Sequence, residues 1–227
     1  MNSPQTIRAA RDNPFAVHRV EACGFRFPSG DWPSNLERLE EMGYRATILG
    51  SHGAGKTSLI LELQERLETN GHSVLHVFVS RNAAERLVQC EAILSRSTKI
   101  IALVDGIERF NWWQRRNILR RVSAGLVVTV HRKWELPTWV HCQTSIPLLE
   151  ELLQSLEISE QRLIQKAHKL FKLRKGNIRE VFRDLFDTCA INPFTSKNTS
   201  RVPCICPAII WSREQLLCLE PAPALSS

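Results

Sequence analysis

Eight consecutive residues, Gly50-Ser51-His52-Gly53-Ala54-Gly55-Lys56-Thr57, match the spacing G-x-x-x-x-G-K-[ST] in full. Those residue types suit one task. Glycines let the chain turn tightly enough for successive backbone N–H groups to converge on phosphate oxygens, with no Cβ in the way. A helix opening at that point adds the partial positive charge of its N-terminus, and Ser58 lies in its first turn. Lys56 can set an ammonium between β- and γ-phosphates, and the Thr57 hydroxyl can ligate Mg²⁺. The spacing predicts a nucleoside triphosphate site on Gly50, Ser51, His52, Gly53, Ala54, Gly55, Lys56, Thr57 and Ser58. ATP is the default occupant, since the chain holds no Asn/Thr-Lys-x-Asp guanine signature.

A metal-side carboxylate belongs at the end of a second apolar strand, and Ile100-Ile101-Ala102-Leu103-Val104-Asp105 supplies one. Asp105 is the candidate to hold Mg²⁺ through water, with Thr57. Gly106 follows it, so the nearest carboxylate able to polarise a water is Glu108. The alternative reading of Glu108 is a solvated charge opening the next helix. A later strand ends Thr129-Val130-His131-Arg132. A polar or cationic side chain at its tip would face the γ-phosphate. Arg132 is the first choice, because a guanidinium pairs bidentately with phosphate.

The elements that must position these residues follow from periodicity. Arg45 to Leu49, Ser73 to Val79, Lys99 to Val104 and Gly125 to Val130 read as apolar strands, with a further one near Trp139 to Ile146. Between them fall helices over 56–69, 82–95 and 112–122, with an earlier short one over 34–42. Ile60, Leu63 and Leu67 share a face of the first; Leu87, Cys90 and Leu94 share one of the second. Glu62 sits four residues before Arg66, a pairing distance. Strands apolar on both faces, alternating with helices, predict a parallel sheet covered on both sides, a three-layer α/β sandwich over residues 1–147 with a loop-rich start. From Pro147 the pattern turns all-helical, and three amphipathic stretches within 148–190 predict a small lid. Residues 191–227, rich in Pro and Ser, read as an irregular tail.

Composition narrows the classes. The chain has 227 residues, 43% hydrophobic and 23% charged, with a mean hydropathy of −0.18 and no apolar run long enough for a bilayer span. The first residues lack the apolar core of a secretory signal, so a cytoplasmic protein without membrane attachment is expected. Seven cysteines without framework spacing read as free thiols; the Cys204-Ile205-Cys206 pair has no second ligand pair for zinc. The scattered histidines show no metal spacing.

Together these residues resemble the additional-strand class of P-loop ATPases, the branch holding AAA+ origin-recognition-like and STAND/NACHT-type proteins. Asp105-Gly106-Ile107-Glu108 looks like the D-G-x-[DE] variant of NACHT-like proteins. Val128 to Arg132 is similar to a sensor-1 strand. Lys175-Gly176-Asn177-Ile178-Arg179 resembles the G-x-x-R sensor-2 pattern, which implies that Arg179 lies near the γ-phosphate. The layout from Asn13 to about Thr188 is also similar to small bacterial predicted ATPases of planctomycete type. The resemblance implies an Mg²⁺-dependent P-loop NTPase fold and ATP hydrolysis. Many of its members carry a Glu directly after the strand-end Asp; Gly106 in that place implies slow or regulated turnover. A nucleotide switch or DNA-associated adaptor that binds without turnover is the alternative. A small-molecule kinase is a third reading, against which a helical lid with a single sensor-like arginine argues. No residue is assignable as an arginine finger, which leaves a protein partner or a homo-oligomer unassigned.

The net charge of +7 suits an anionic partner. Trp112-Trp113 beside Arg115, Arg116, Arg120 and Arg121 could stack a base and bind phosphate, giving DNA as a candidate partner. The plainer expectation buries one indole and leaves a solvated basic helix. Lys166, Lys169, Lys172, Arg174 and Lys175 carry the same two readings.

Overall fold

The alternating apolar pattern closes into one five-stranded sheet of β1 (Arg45–Gly50), β2 (Val74–Phe78), β3 (Ile101–Asp105), β4 (Leu126–Val130) and β5 (Thr138–Cys142). The structure, a computed structural model, describes residues 13–191. Every strand pairing is parallel and the order is β2-β3-β4-β1-β5. β4 therefore lies between β1, which leads into the glycine-rich loop, and β3, which ends in Asp105. The sequence expectation of strands buried on both sides is met best at β3 and β4, where all five residues are buried.

Period-two alternation divides the side chains between two cores. Ala46, Ile48, Ile101, Leu103 and Val127 point to one face and meet α2 (Trp32–Glu41) and α3 (Lys56–Thr69) through Leu39, Leu59, Leu63 and Leu67. Ala102, Val104, Leu126, Val128 and Val130 point to the other and meet α4 (Ala83–Ser95) and α5 (Trp112–Arg121) through Cys90, Ile93 and Ile118. Helices on both faces of one sheet make three layers. Past β5, α6 (Ile146–Ser155), α7 (Gln161–Leu173) and α8 (Ile178–Ile191) pack in succession. They bury the apolar stripes Leu149-Leu153, Leu163-Ala167 and Val181-Phe182-Leu185. All described residues belong to one compact unit, and no helix among them is long and apolar enough to cross a membrane.

Several local expectations are corrected. A short helix α1 (Val17–Ala22) stands in the stretch expected to be loop. Helix α2 opens two residues early, because Asp31 and Ser34 form a reciprocal capping box across Pro33. Leu87 is exposed rather than in the core stripe of α4, which uses Cys90 and Ile93. Glu62 makes no ion pair with Arg66. It accepts from the Phe25 amide and from Trp32 Nε1 (3.2 Å), while Arg66 lies over the Trp32 ring, 4.3 Å from its centroid. Neither Trp112 nor Trp113 is in the core: they are 53% and 69% exposed. The buried register of α5 runs through Gln114 and Ile118 to Val122, which turns both indoles outward. The tail from residue 192, with Cys204, Cys206 and Cys218, and the first twelve residues lie outside the described residues.

Candidate functional site

The carboxyl ends of β1, β3 and β4 converge where a parallel sheet offers its crevice. β1 runs into the loop at Gly50, whose tight place is set by β5: a Cβ there would lie 2.7 Å from the Cys142 carbonyl oxygen. Gly53 (φ +73°) and Gly55 (φ +83°) both occupy the left-handed region, which a side chain would strain. Gly55 is the N-cap of α3, so the helix starts at Lys56 with its first amides facing the loop.

Lys56 is buried, and its ammonium donates to the carbonyl oxygens of Gly50 (2.8 Å) and Ser51 (2.7 Å). Burial holds its pKa below the ordinary lysine value, an effect that the Cys142, Asp105 and Glu108 side chains oppose and the Arg179 charge reinforces. The loop thus folds round its own lysine. Cys142, under the loop, is a buried free thiol whose pKa burial pushes up to about 12, so it is inert at neutral pH.

The two residues expected on the metal side meet in the structure. Thr57 Oγ1, in the first turn of α3, donates to Asp105 Oδ2, at the end of β3, at 2.9 Å. Asp105 is 6% exposed, and its other oxygen accepts from Thr129 Oγ1 at 2.6 Å. Thr129 in turn accepts from the Gly106 amide at 2.8 Å. One buried carboxylate with a hydroxyl neighbour fits Mg²⁺, which keeps several waters and takes only one or two carboxylates plus substrate phosphates. Among the described residues no cluster of three or more His, Cys, Asp or Glu side chains could hold a metal without such a ligand.

At the tip of β4 both His131 and Arg132 are exposed, and it is His131, not Arg132, that reaches the loop. His131 Nδ1 lies 3.3 Å from Lys56 Nζ and 3.1 Å from the Gly50 carbonyl oxygen, and its ring lies against that of His52, centroids 3.9 Å apart and planes tilted by 39°. Burial first, then the Lys56 and His52 charges, keep its pKa below the usual histidine value. Glu108 Oε1 accepts from the His131 amide at 2.8 Å, with Oε2 3.9 Å from Nε2. Arg132 is exposed and makes no hydrogen bond or ion pair among the described residues. The sequence ranks Arg132 ahead of Thr129 and His131 for its bidentate guanidinium; the structure instead sets His131 against Lys56.

On the opposite side of the loop a cavity of about 520 Å³ opens against Gly53, Ala54, Gly55 and Ser58. Its walls are largely apolar, from Phe15, Val20 and Phe25 ahead of the sheet and from Leu148, Ile178 and Phe182 behind it. Arg179 and Arg183 add charge at its rim, so Arg179 does stand beside the loop. The segment before it packs on the loop directly: a Cβ on Gly53 would fall 1.8 Å from Asn177 Oδ1. Asn177 also caps α8 by accepting from the Glu180 amide at 3.2 Å. Asn13 Nδ2 donates to the Phe186 carbonyl (2.8 Å) and Phe15 packs on Phe182, closing the cavity's far end.

The fold and these contacts define an α/β sandwich of three layers with a polar, lysine-bearing loop at its carboxyl edge and an apolar cavity next to it. No protein-family model matches the chain, and no curated protein sequence matches it.

Proposed function

We propose that the chain binds ATP with Mg²⁺ in the Gly50–Thr57 loop and hydrolyses it slowly to ADP and phosphate. The observation that carries this reading is the 2.9 Å hydrogen bond from Thr57 to Asp105. Two residues that a triphosphate site needs on one cation lie within reach of a single ion. The loop amides and the Lys56 ammonium would take the phosphates, and the cation would draw charge from the β- and γ-oxygens. The neighbouring cavity is the size of a small-molecule pocket and apolar enough for a base, with Ser58, Arg179 and Arg183 among polar lining residues that also include Glu21, Arg26 and Gln143. The insertion of β4 between β1 and β3 supports kinship with the additional-strand class of P-loop ATPases.

Slow turnover follows from the carboxylates. Gly106 offers no base beside Asp105, and Glu108, the nearest, is engaged by the His131 amide and must leave it to activate water. That same engagement favours a second reading, a switch that binds nucleotide without consuming it. Phosphate release from Mg²⁺-ATP separates them. The account predicts measurable turnover that falls about a hundredfold or more in Glu108→Gln, the lower end of what general-base catalysis contributes, with ATP affinity kept within a few-fold. Tight binding without release in the unaltered chain would install the switch instead.

A further inference from the structure

We propose that the outer face of α5 is a binding site for single-stranded nucleic acid. Trp112 and Trp113 stand 53% and 69% exposed, their rings edge to face with centroids 4.6 Å apart. A soluble surface rarely leaves two adjacent indoles in water without a use for them. The Arg116 guanidinium lies 5.4 Å from the Trp112 ring centroid, and Arg120 follows one turn further along the same side. Arg109 likewise lies 5.0 Å from the centroid of Phe78, itself 47% exposed at the end of edge strand β2. On α5 itself, an exposed indole has one guanidinium against its ring and a second arginine a turn further on.

The charge on that surface selects the occupant. Helix α5 carries four arginines and no carboxylate, and the nearest preceding acid, Glu108, is turned to the His131 amide. A second copy of the same face would set arginine against arginine. Tryptophan beside arginine also occurs in protein hot spots, but a protein seated here would have to answer four arginines with carboxylates, which competition by polyglutamate tests. Unpaired bases stacking on indoles, with phosphates running between arginines, satisfy both features at once. A duplex hides its base faces and could use only the arginines. DNA and RNA single strands share this chemistry.

The site is independent of the nucleotide reading, and its test omits ATP. The anisotropy of fluorescein-labelled oligo(dT) and oligo(U) 12-mers is followed on adding the full chain at low salt. The proposal predicts saturable binding of one or both strands, the pair of titrations deciding between DNA and RNA. Affinity falls at least tenfold in Trp112→Ala/Trp113→Ala and stays within threefold in the double Phe variant, which keeps the stacking faces. Arg116→Ala/Arg120→Ala lowers the slope of log affinity against log salt by about 1.4, for two phosphates of a single strand. Arg162→Ala/Lys169→Ala on α7 leaves affinity unchanged, and Lys56→Ala binds as the unaltered chain does. The proposal is overturned if neither strand binds, if the double Ala variant with an unchanged circular-dichroism spectrum binds normally, or if a 12-base-pair duplex, polyglutamate or phosphatidylserine vesicles compete as well as the single strand.

Discussion

Lys56 is held by two carbonyl oxygens of the loop that it must leave to reach a phosphate, and His131 stands at its shoulder. An anion arriving there would exchange two neutral acceptors for a charged one, which strengthens each hydrogen bond. The same geometry ranks the two residues at the tip of β4. Arg132→Ala is expected to change ATP affinity by less than about twofold, as for an exposed charge without partners. His131→Ala, removing the one side chain among the described residues within hydrogen-bond distance of the Lys56 ammonium, is expected to lower phosphate release several-fold. Parallel affinity and turnover measurements on the two variants check this; a larger loss in Arg132→Ala would contradict it. Much of the residue-level site was legible, because the Gly50–Thr57 spacing and the strand-end Asp105 are local patterns. The choice of His131 over Arg132 was not. It depends on Glu108 accepting the His131 amide, a contact between segments that no periodicity in either one encodes.

Elements hold these residues by contacts that cross the chain. Arg45, at the start of β1, donates to the carbonyl oxygens of Leu119 (2.8 Å) and Val122, closing the C-terminal end of α5. Loss of such charge-assisted bonds to otherwise unpaired helix carbonyls costs about 1.5–3 kcal/mol. Arg45→Ala is therefore expected to lose stability of that order in urea unfolding, and an unchanged midpoint would contradict the role. The long helices were readable from the sequence because each buries a regular stripe. Helix α1 was not: its six residues bury none of their number and carry no side-chain cap, so it left no pattern to read. The turning of Trp112 and Trp113 to solvent was misjudged for a related reason. Gln114 takes a buried position in α5, and an apolar count does not expect a glutamine there.

Across the whole molecule, the order β2-β3-β4-β1-β5 was beyond local reading, since alternation of strands and helices is compatible with several orders. The sheet that results half-buries His76 on β2. Its Nε2 is sequestered without a hydrogen-bond partner among the described residues, and burial holds its pKa below the free value, against the pull of Asp105 and Glu68. The unfolded chain, with an ordinary histidine near pH 6.5, then binds a proton more readily than the folded one. Stability is accordingly full above that pH and declines as pH falls toward the depressed folded value. His131, shifted the same way, adds to the decline. Melting temperatures recorded from pH 7.5 to 5 should fall, and His76→Phe should flatten part of that fall; an identical slope in the variant would contradict the assignment.

The claim on which the account rests is that the Gly50–Thr57 loop closes on a triphosphate through Lys56. Calorimetric titration of Mg²⁺-ATP into the full chain tests it most directly. A saturable heat with one site per chain is predicted, abolished in Lys56→Ala while the melting transition of that variant persists. Equal heats and affinities in the two proteins, or no binding to the unaltered chain, would contradict it.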